Sequence, residues 1–429
     1  MLPKFCNQLR YCSAKKTLFT LGFHLFALLT TYLVLQCFGF ISIFPNDNNL
    51  LGWDATWYLS LKESGYRFIP NKPCNLAFFP LFPFFWSLIG VGPVVISIFN
   101  FLIFCISFFI LLKDVKAPSI ILLLTLSMPS FIFFGLPYSE SFFFLFGTLI
   151  LTGYIRNSNR FKLLGFLGAS LTRSVSIIFI PAIIISELVD RNDLRPFKQK
   201  LLSVIISISG CLIGLFTTVI VQWIQTGKWF YLFEVQQFWQ RKWILPKFPL
   251  TTHDAARILG IETVSLAIGV IAVFVCIIWC FDIVKKANKE PMIGTLNKAV
   301  LFCMLFVSGI VVLDTFFTFN LGTSTNIWSM NRHLLCTPFA VVFLIWIFKI
   351  FNNSLLSLIG ISYVIIFCAF LTSIGKYPNL LIYYGVFFLP FVLLKFLPGS
   401  KNFLYIFYAV NLVLQMYFFQ DFLNGKWIA

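Results

Sequence analysis

Residues 17–44 read TLFTLGFHLFALLTTYLVLQCFGFISIF, and this stretch decides the fold. It carries no Asp, Glu, Lys or Arg over 28 residues. About 20 apolar residues in a helix cross the hydrocarbon core of a bilayer. The run is too long for a signal-peptide core, and no small-residue cleavage site follows it. It therefore reads as a retained first helix. Comparable runs recur at 93–112, 117–135, 141–155, 163–174, 175–189, 201–222, 264–283, 299–319, 334–351, 355–372, 379–397 and 403–419. Several are short for a single crossing. Residues 163–189 read either as two half-length helices meeting near Arg173 or as one long span. The pattern predicts an all-α, polytopic transmembrane protein of about 11–13 spans, folded as a single integral-membrane domain over 1–429.

Composition agrees. Hydrophobic residues make up 59% of the chain and charged residues 11%, against about 25% charged in soluble domains. The 56 phenylalanines fit an AT-rich coding sequence and are not taken as a binding signal. The net charge of +17 raises the question of nucleic acid. With the N-terminus placed in the cytoplasm, the segments between spans put 20 of the 32 basic residues inside, but only 6 of the 15 acids. This is the positive-inside bias of membrane proteins. No clustered basic surface is left over for DNA or RNA. The 11 cysteines lie mostly within apolar runs, where a thiol behaves as a small hydrophobe. Only Cys74 falls clearly in an outer loop, so no disulfide framework is expected. No cluster calls for a metal, and no cofactor is expected.

Working outward from the first span, the chain next reads Gly52-Trp53-Asp54-Ala55-Thr56-Trp57-Tyr58. Asp54 thus sits at the membrane–water boundary, among rings favoured at that depth. It is either an acid acting on a lipid-carried substrate or a solvated loop acid beside an aromatic belt. Three outer segments are large enough for chemistry: 45–92, the turn 129–141, and 223–262. Two prolines break the apolar stretch at 76–86, which suggests a segment lying along the outer leaflet. The segment 223–262 mixes Trp229, Tyr231, Phe238, Trp239 and Trp243 with Lys228, Arg241, Lys242 and Lys247. Such a mixture suits a lipid headgroup or a sugar phosphate, and equally a helix anchored in the interface. Arg173 and the turn Asn331-Arg332-His333 fall on the same side. An arginine in an apolar setting is costly and marks a functional site by default; for Arg173 the alternative is a structural pair with Glu140. Arg332 and His333 either contact a phosphate or cap the next span. Asp314 lies inside an apolar run and has no evident role. His24, His253 and His333 are the only histidines, and none stands beside an obvious Ser/Asp set.

Gly52-Trp53-Asp54, Gly65-Tyr66 and Asn75-Leu76-Ala77-Phe78-Phe79-Pro80-Leu81-Phe82-Pro83 together resemble the signature of the PIG-V-type mannosyltransferases. Leu136-Pro137-Tyr138-Ser139-Glu140-Ser141 and Leu171-Thr172-Arg173-Ser174 resemble further segments of that family. The resemblance covers residues 50–190 and is diffuse beyond, resting there on Asn331-Arg332-His333 and the tail Gly425-Lys426-Trp427-Ile428-Ala429. It implies a GT-C-type glycosyltransferase that takes a sugar from a polyprenyl-phosphate donor and passes it to a glycan or glycolipid acceptor. The family's catalytic acid lies in the first outer loop, and Asp54 falls on that position. Trp53, Glu140, Arg173, Arg241, Arg332 and His333 are the candidate substrate-binding residues. Eukaryotic members add the second mannose of the GPI anchor in the endoplasmic reticulum. The tail of this chain looks more like that of bacterial relatives, which implies a bacterial inner membrane instead. Some relatives need a small membrane partner subunit.

The chemistry such residues would do is economical. A phosphate leaving group is stable as an anion and needs no general acid, unlike the alkoxide of a glycosidase. One base and a set of cations suffice. A transporter or flippase of lipid-linked sugars is the competing class. Transporters usually show paired halves and ionisable residues near mid-membrane, whereas here the polar residues gather at one face and no repeat is visible.

Overall fold

The computed structural model describes residues 14–115, 117–189, 193–252, 260–284, 297–350, 353–396 and 401–428. The chain is a helical bundle. Helix α1 (Ala14–Cys37) is followed by two short helices, α2 (Asp54–Ser64) and α3 (Leu81–Ile89), before α4 (Pro93–Asp114). Then come α5 (Ser119–Leu126), α6 (Glu140–Ile155), α7 (Asn159–Ser170), α8 (Phe179–Leu188) and the long α9 (Phe197–Thr226). After α10 (Tyr231–Phe238) the backbone makes two brief strands, β1 (Lys242–Trp243) and β2 (Leu250–Thr251). The C-terminal half holds α11 (Ile261–Val284), α12 (Lys298–Phe316), β3 (Phe317–Thr318), β4 (Asn320–Leu321), β5 (Ser324–Asn326) and α13 (Met330–Leu335). Helices α14 (Pro338–Ile350), α15 (Asn353–Ile374), α16 (Asn379–Phe396) and α17 (Lys401–Leu423) complete it.

Among the described residues, seven helices are long and apolar enough to cross a membrane: α1, α4, α9, α11, α12, α15 and α17. Counting the bent pair of Pro129–Gly135 and α6 as one broken span makes up to eight, and other expected spans are shorter apolar helices. Residues 117–135 form α5 and then a 3₁₀ segment, Pro129–Gly135, that bends by 100° into α6. Pro129 cannot donate to a continuing helix, and the chain turns there. Residues 163–189 take the two-helix reading, with α7 and α8 flanking the turn at Arg173. Residues 334–351 split between α13 and α14.

Local chemistry explains the helix ends. Pro93 opens α4 at its first turn, where a missing N–H costs nothing. Pro80 and Pro83 do the same for α3. The prolines that suggested a broken segment therefore start a helix rather than interrupt one. Gly227, at φ 69°, ends α9 in the left-handed conformation. The Asn297 side chain caps α12, accepting from the Val300 amide at 3.0 Å. Cys74, expected in an outer loop, is fully buried beneath α10 with Leu76 and Val235.

Small residues let α7 and α9 approach closely. A Cβ on Gly210 would sit 2.8 Å from the Leu163 carbonyl, and one on Gly214 2.8 Å from the Leu167 carbonyl. Apolar helices in lipid associate through this kind of close packing. At the far end of the same helices the Glu187 carboxylate, fully buried, accepts from Lys162, from Ser203 at 2.9 Å and from Arg195 at 2.5 Å. Lys162, one of the basic residues assigned to the cytoplasmic surface, is thus an interior ion-pair partner.

Candidate functional site

A cavity of about 460 Å³ is lined by the N-terminus of α2, the turn after α7, the end of α10, the C-terminal end of α12 and helix α13. Trp53, Asp54, Arg173, Arg241, Arg332 and His333 all line it. These residues are spread over 280 positions of sequence, yet they share one wall. Its aromatic surfaces are Trp57, Phe78, Trp239 and Trp427. Trp57 meets Trp239 edge-on at 5.2 Å between centroids, and Trp53 meets Trp427 edge-on at 4.8 Å.

The turn that carries Asp54 is held from three sides. Tyr138 donates to the Gly52 carbonyl at 3.2 Å. Tyr58 donates to the Ser139 hydroxyl at 2.9 Å. A Cβ on Gly52 would meet the Phe422 ring at 3.0 Å, so the close packing of α17 suits a glycine there. Trp53 then takes φ 54°, a conformation that costs a non-glycine residue on the order of 1–3 kcal/mol. The segments Gly65-Tyr66 and Asn75–Phe78 are tied together beside this turn. Asn75 donates to the Gly65 carbonyl at 3.1 Å, and Tyr66 donates to the Phe78 carbonyl at 2.9 Å.

Asp54 is not a free acid. Arg332 Nη2 donates to its Oδ2 at 2.5 Å. The other oxygen, Oδ1, has no partner among the described residues. Arg332 Nε lies 2.8 Å from Glu140 Oε1, an ion pair without hydrogen-bond alignment. The same Glu140 oxygen accepts from Arg173 Nη1 at 2.9 Å. The result is a chain of alternating charge: Asp54, Arg332, Glu140, Arg173. Burial disfavours the charge on Arg332, but the carboxylates of Asp54 and Glu140 outweigh it and raise its pKa. Arg332 also lies over the Tyr138 ring at 5.1 Å.

Glu140 corrects one expectation. Its carboxylate is only 1% exposed and does not line the cavity. It is held by two guanidinium groups, Arg173 and Arg332, behind the lining residues. The pairing of Arg173 with Glu140 is observed, and it coexists with a place on the cavity wall.

His333 corrects another. Its Nδ1 lies 3.0 Å from Asp314 Oδ2, so a histidine with no evident partner in sequence has a carboxylate partner in space. Burial lowers its pKa to about 4 against the pull of Asp314, and the ring is neutral at pH 7. Asp314 gains its role here. The signal in sequence was an acid within an otherwise apolar helix, which marks function by default. Gln236 and Gln240 also line the wall and carried no signal.

Arg241 is positioned by backbone rather than by side-chain partners. Its amide donates to the Gln236 carbonyl at 2.9 Å at the end of α10. The next residues pair antiparallel with β3, Lys242 opposite Thr318 and Trp243 opposite Phe317. This pairing fastens the segment to β3, which follows α12 and begins three residues past Asp314. Burial lowers the Arg241 pKa, with Asp314 opposing.

Among the described residues no group of three or more His, Cys, Asp or Glu is arranged to hold a metal. What the arrangement can do is hold an acceptor hydroxyl against Asp54 Oδ1, surround a negative group with arginines, and stack an apolar or sugar ring on tryptophan. Comparison with protein-family models, curated proteins and solved structures finds no match to this chain.

Proposed function

We propose that the protein is an integral-membrane glycosyltransferase of the GT-C kind, most simply a mannosyltransferase, using a polyprenyl-phosphate sugar as donor. The observation that carries this reading is the open oxygen of Asp54 on a wall that also holds three arginines. Asp54 takes the proton of the acceptor hydroxyl. The hydroxyl oxygen forms the new bond to the anomeric carbon. The bond from that carbon to the phosphate oxygen breaks, its electron pair leaves with the phosphate, and configuration inverts. The arginines stabilise the negative charge gathering on the leaving group. Arg332 holds one oxygen of Asp54 and so presents the other in a fixed orientation. The acceptor is a glycan or glycolipid, and the cavity faces the outside of the cell or the lumen, as the charge distribution between spans implies.

The test is transfer from radiolabelled polyprenyl-phosphate mannose by membranes carrying the wild-type chain or Asp54→Asn. Transfer by the wild type that is lost in the variant supports the reading. Transfer unaffected by the substitution removes Asp54 as the base. Movement of the labelled donor across a vesicle membrane without transfer would instead favour a transporter.

A further inference from the structure

Several buried donors around the cavity are left without a partner. Among its lining residues, the buried side-chain atoms without a hydrogen-bond partner include the indole Nε1 of Trp239, the indole Nε1 of Trp427, and Nη1 of Arg332. Each is a donor. No lining residue leaves a buried acceptor oxygen unpaired among the described residues. The acceptor Asp54 Oδ1, open on the same wall, stands beside them.

The arginines divide in the same way. Arg173 is committed to Glu140, and Arg332 to Asp54 and Glu140. Arg241 has no hydrogen bond and no ion pair to its side chain among the described residues. The carboxylates of Asp314 and Asp54 act on it only through space, and they are bonded to His333 and Arg332, so the guanidinium donors of Arg241 are unfilled. The backbone holds it in place: Gln240 adopts φ 61° directly before it, and β1 fastens the residues directly after it. This is a cation that is positioned and left empty-handed.

We infer that Arg241 is the anion-binding centre of the cavity and takes the phosphate of a lipid phosphate ester. The inference deepens the transferase reading, because it assigns the donor's phosphate to one residue. It does not require that sugar transfer occur. A polyprenyl phosphate and an anionic phospholipid headgroup share this chemistry, and the experiment separates them.

The full chain is placed in nanodiscs of neutral phosphatidylcholine, and binding is followed by the fluorescence of the cavity tryptophans. The probes are undecaprenyl phosphate, uncharged undecaprenol, and phosphatidylglycerol. Arg241→Gln is expected to weaken undecaprenyl phosphate binding about tenfold to a hundredfold. Arg241→Lys should retain part of the affinity. Lys242→Gln, at the exposed neighbouring position, should bind as wild type. Undecaprenol binding should not depend on Arg241. If phosphatidylglycerol shows the same Arg241 dependence and competes equally, the occupant is the bilayer's own headgroup; if it does not compete, the occupant is the polyprenyl phosphate. Undecaprenyl phosphate binding equally tight in wild type and Arg241→Gln overturns the inference, whatever the transfer assay gives. Arg241-dependent binding without any sugar transfer would keep the anion site and remove the transferase reading.

Discussion

Arg332 and Asp54 stand 278 positions apart in sequence and 2.5 Å apart in space. The contact joins the start of α2 to helix α13, one from each half of the chain. It makes Asp54 an oriented carboxylate rather than a loose one. Asp54→Asn keeps the shape and an acceptor oxygen for Arg332 but removes the base. The expected outcome is a fall in transfer of about 10²–10⁴-fold, with unchanged protein level and thermal midpoint. A parallel fall in both would mean that the residue acts only in folding.

Glu140 serves two arginines with one oxygen. Glu140→Gln leaves Arg173 with no carboxylate, inside the bundle. Breaking one member of a buried ionic set costs about 3–5 kcal/mol. The variant should therefore unfold at clearly lower temperature in detergent. The double variant Glu140→Leu with Arg173→Leu removes both charges and should recover part of that loss, while Arg332 keeps Asp54. A double variant no more stable than Glu140→Gln would show that the uncompensated charge is not the cause.

Six non-glycine residues among those described have positive φ, and three of them line the cavity: Trp53, Gln240 and Ser329. Each directly precedes the segment carrying a charged wall residue: Asp54, Arg241, or the helix with Arg332. The strain sits where side chains must be aimed. Ser329, at φ 64°, offers the cleanest test. Ser329→Gly should leave stability within about 1 kcal/mol, because glycine adopts this conformation freely. Ser329→Val should cost roughly 2 kcal/mol or more, because a β-branched residue is a genuine outlier there. Equal midpoints for the two variants would argue against strain at this turn.

The spanning helices were legible in the sequence because lipid imposes a simple rule: an apolar run of sufficient length, with no charge, forms a helix. The ends were less legible. Pro80 and Pro83 read as breaks, yet they open α3, since proline is tolerated in a first turn and disruptive only further in. The site residues announced themselves one by one as costly charges near an interface. Of their pairings only Arg173 with Glu140 was offered in the sequence, and it is observed. Nothing in the spacing of Asp314 and His333 shows that α12 ends where α13 returns beside it. Glu140 fell in an outer turn, and its two arginines show that it stands behind the wall. Arg241 could not be told from its neighbour Lys242 until the fold placed Arg241 on the cavity wall and left Lys242 exposed.

His333 gives a pH dependence whose sign can be worked out. Its folded pKa is about 4, and an unfolded histidine titrates near about 6.5. Between these values the unfolded chain holds more protons than the folded one, so stability rises with pH. The contribution is fully present above about pH 6.5 and is lost as pH falls towards 4. The charged groups facing the ring are Asp314 from α12, Arg173 beyond α7, and Arg241 before β1. The two arginines reinforce the cost of protonation that burial imposes, and Asp314 offsets part of it. The expected loss between pH 7 and pH 4.5 is on the order of 2 kcal/mol. His333→Asn cannot titrate at this position and leaves Asp314 in place. Thermal midpoints measured at both pH values should fall further in the wild type than in His333→Asn. An equal fall in the two would show that His333 protonates freely while folded, and that the ring is not sealed against charge.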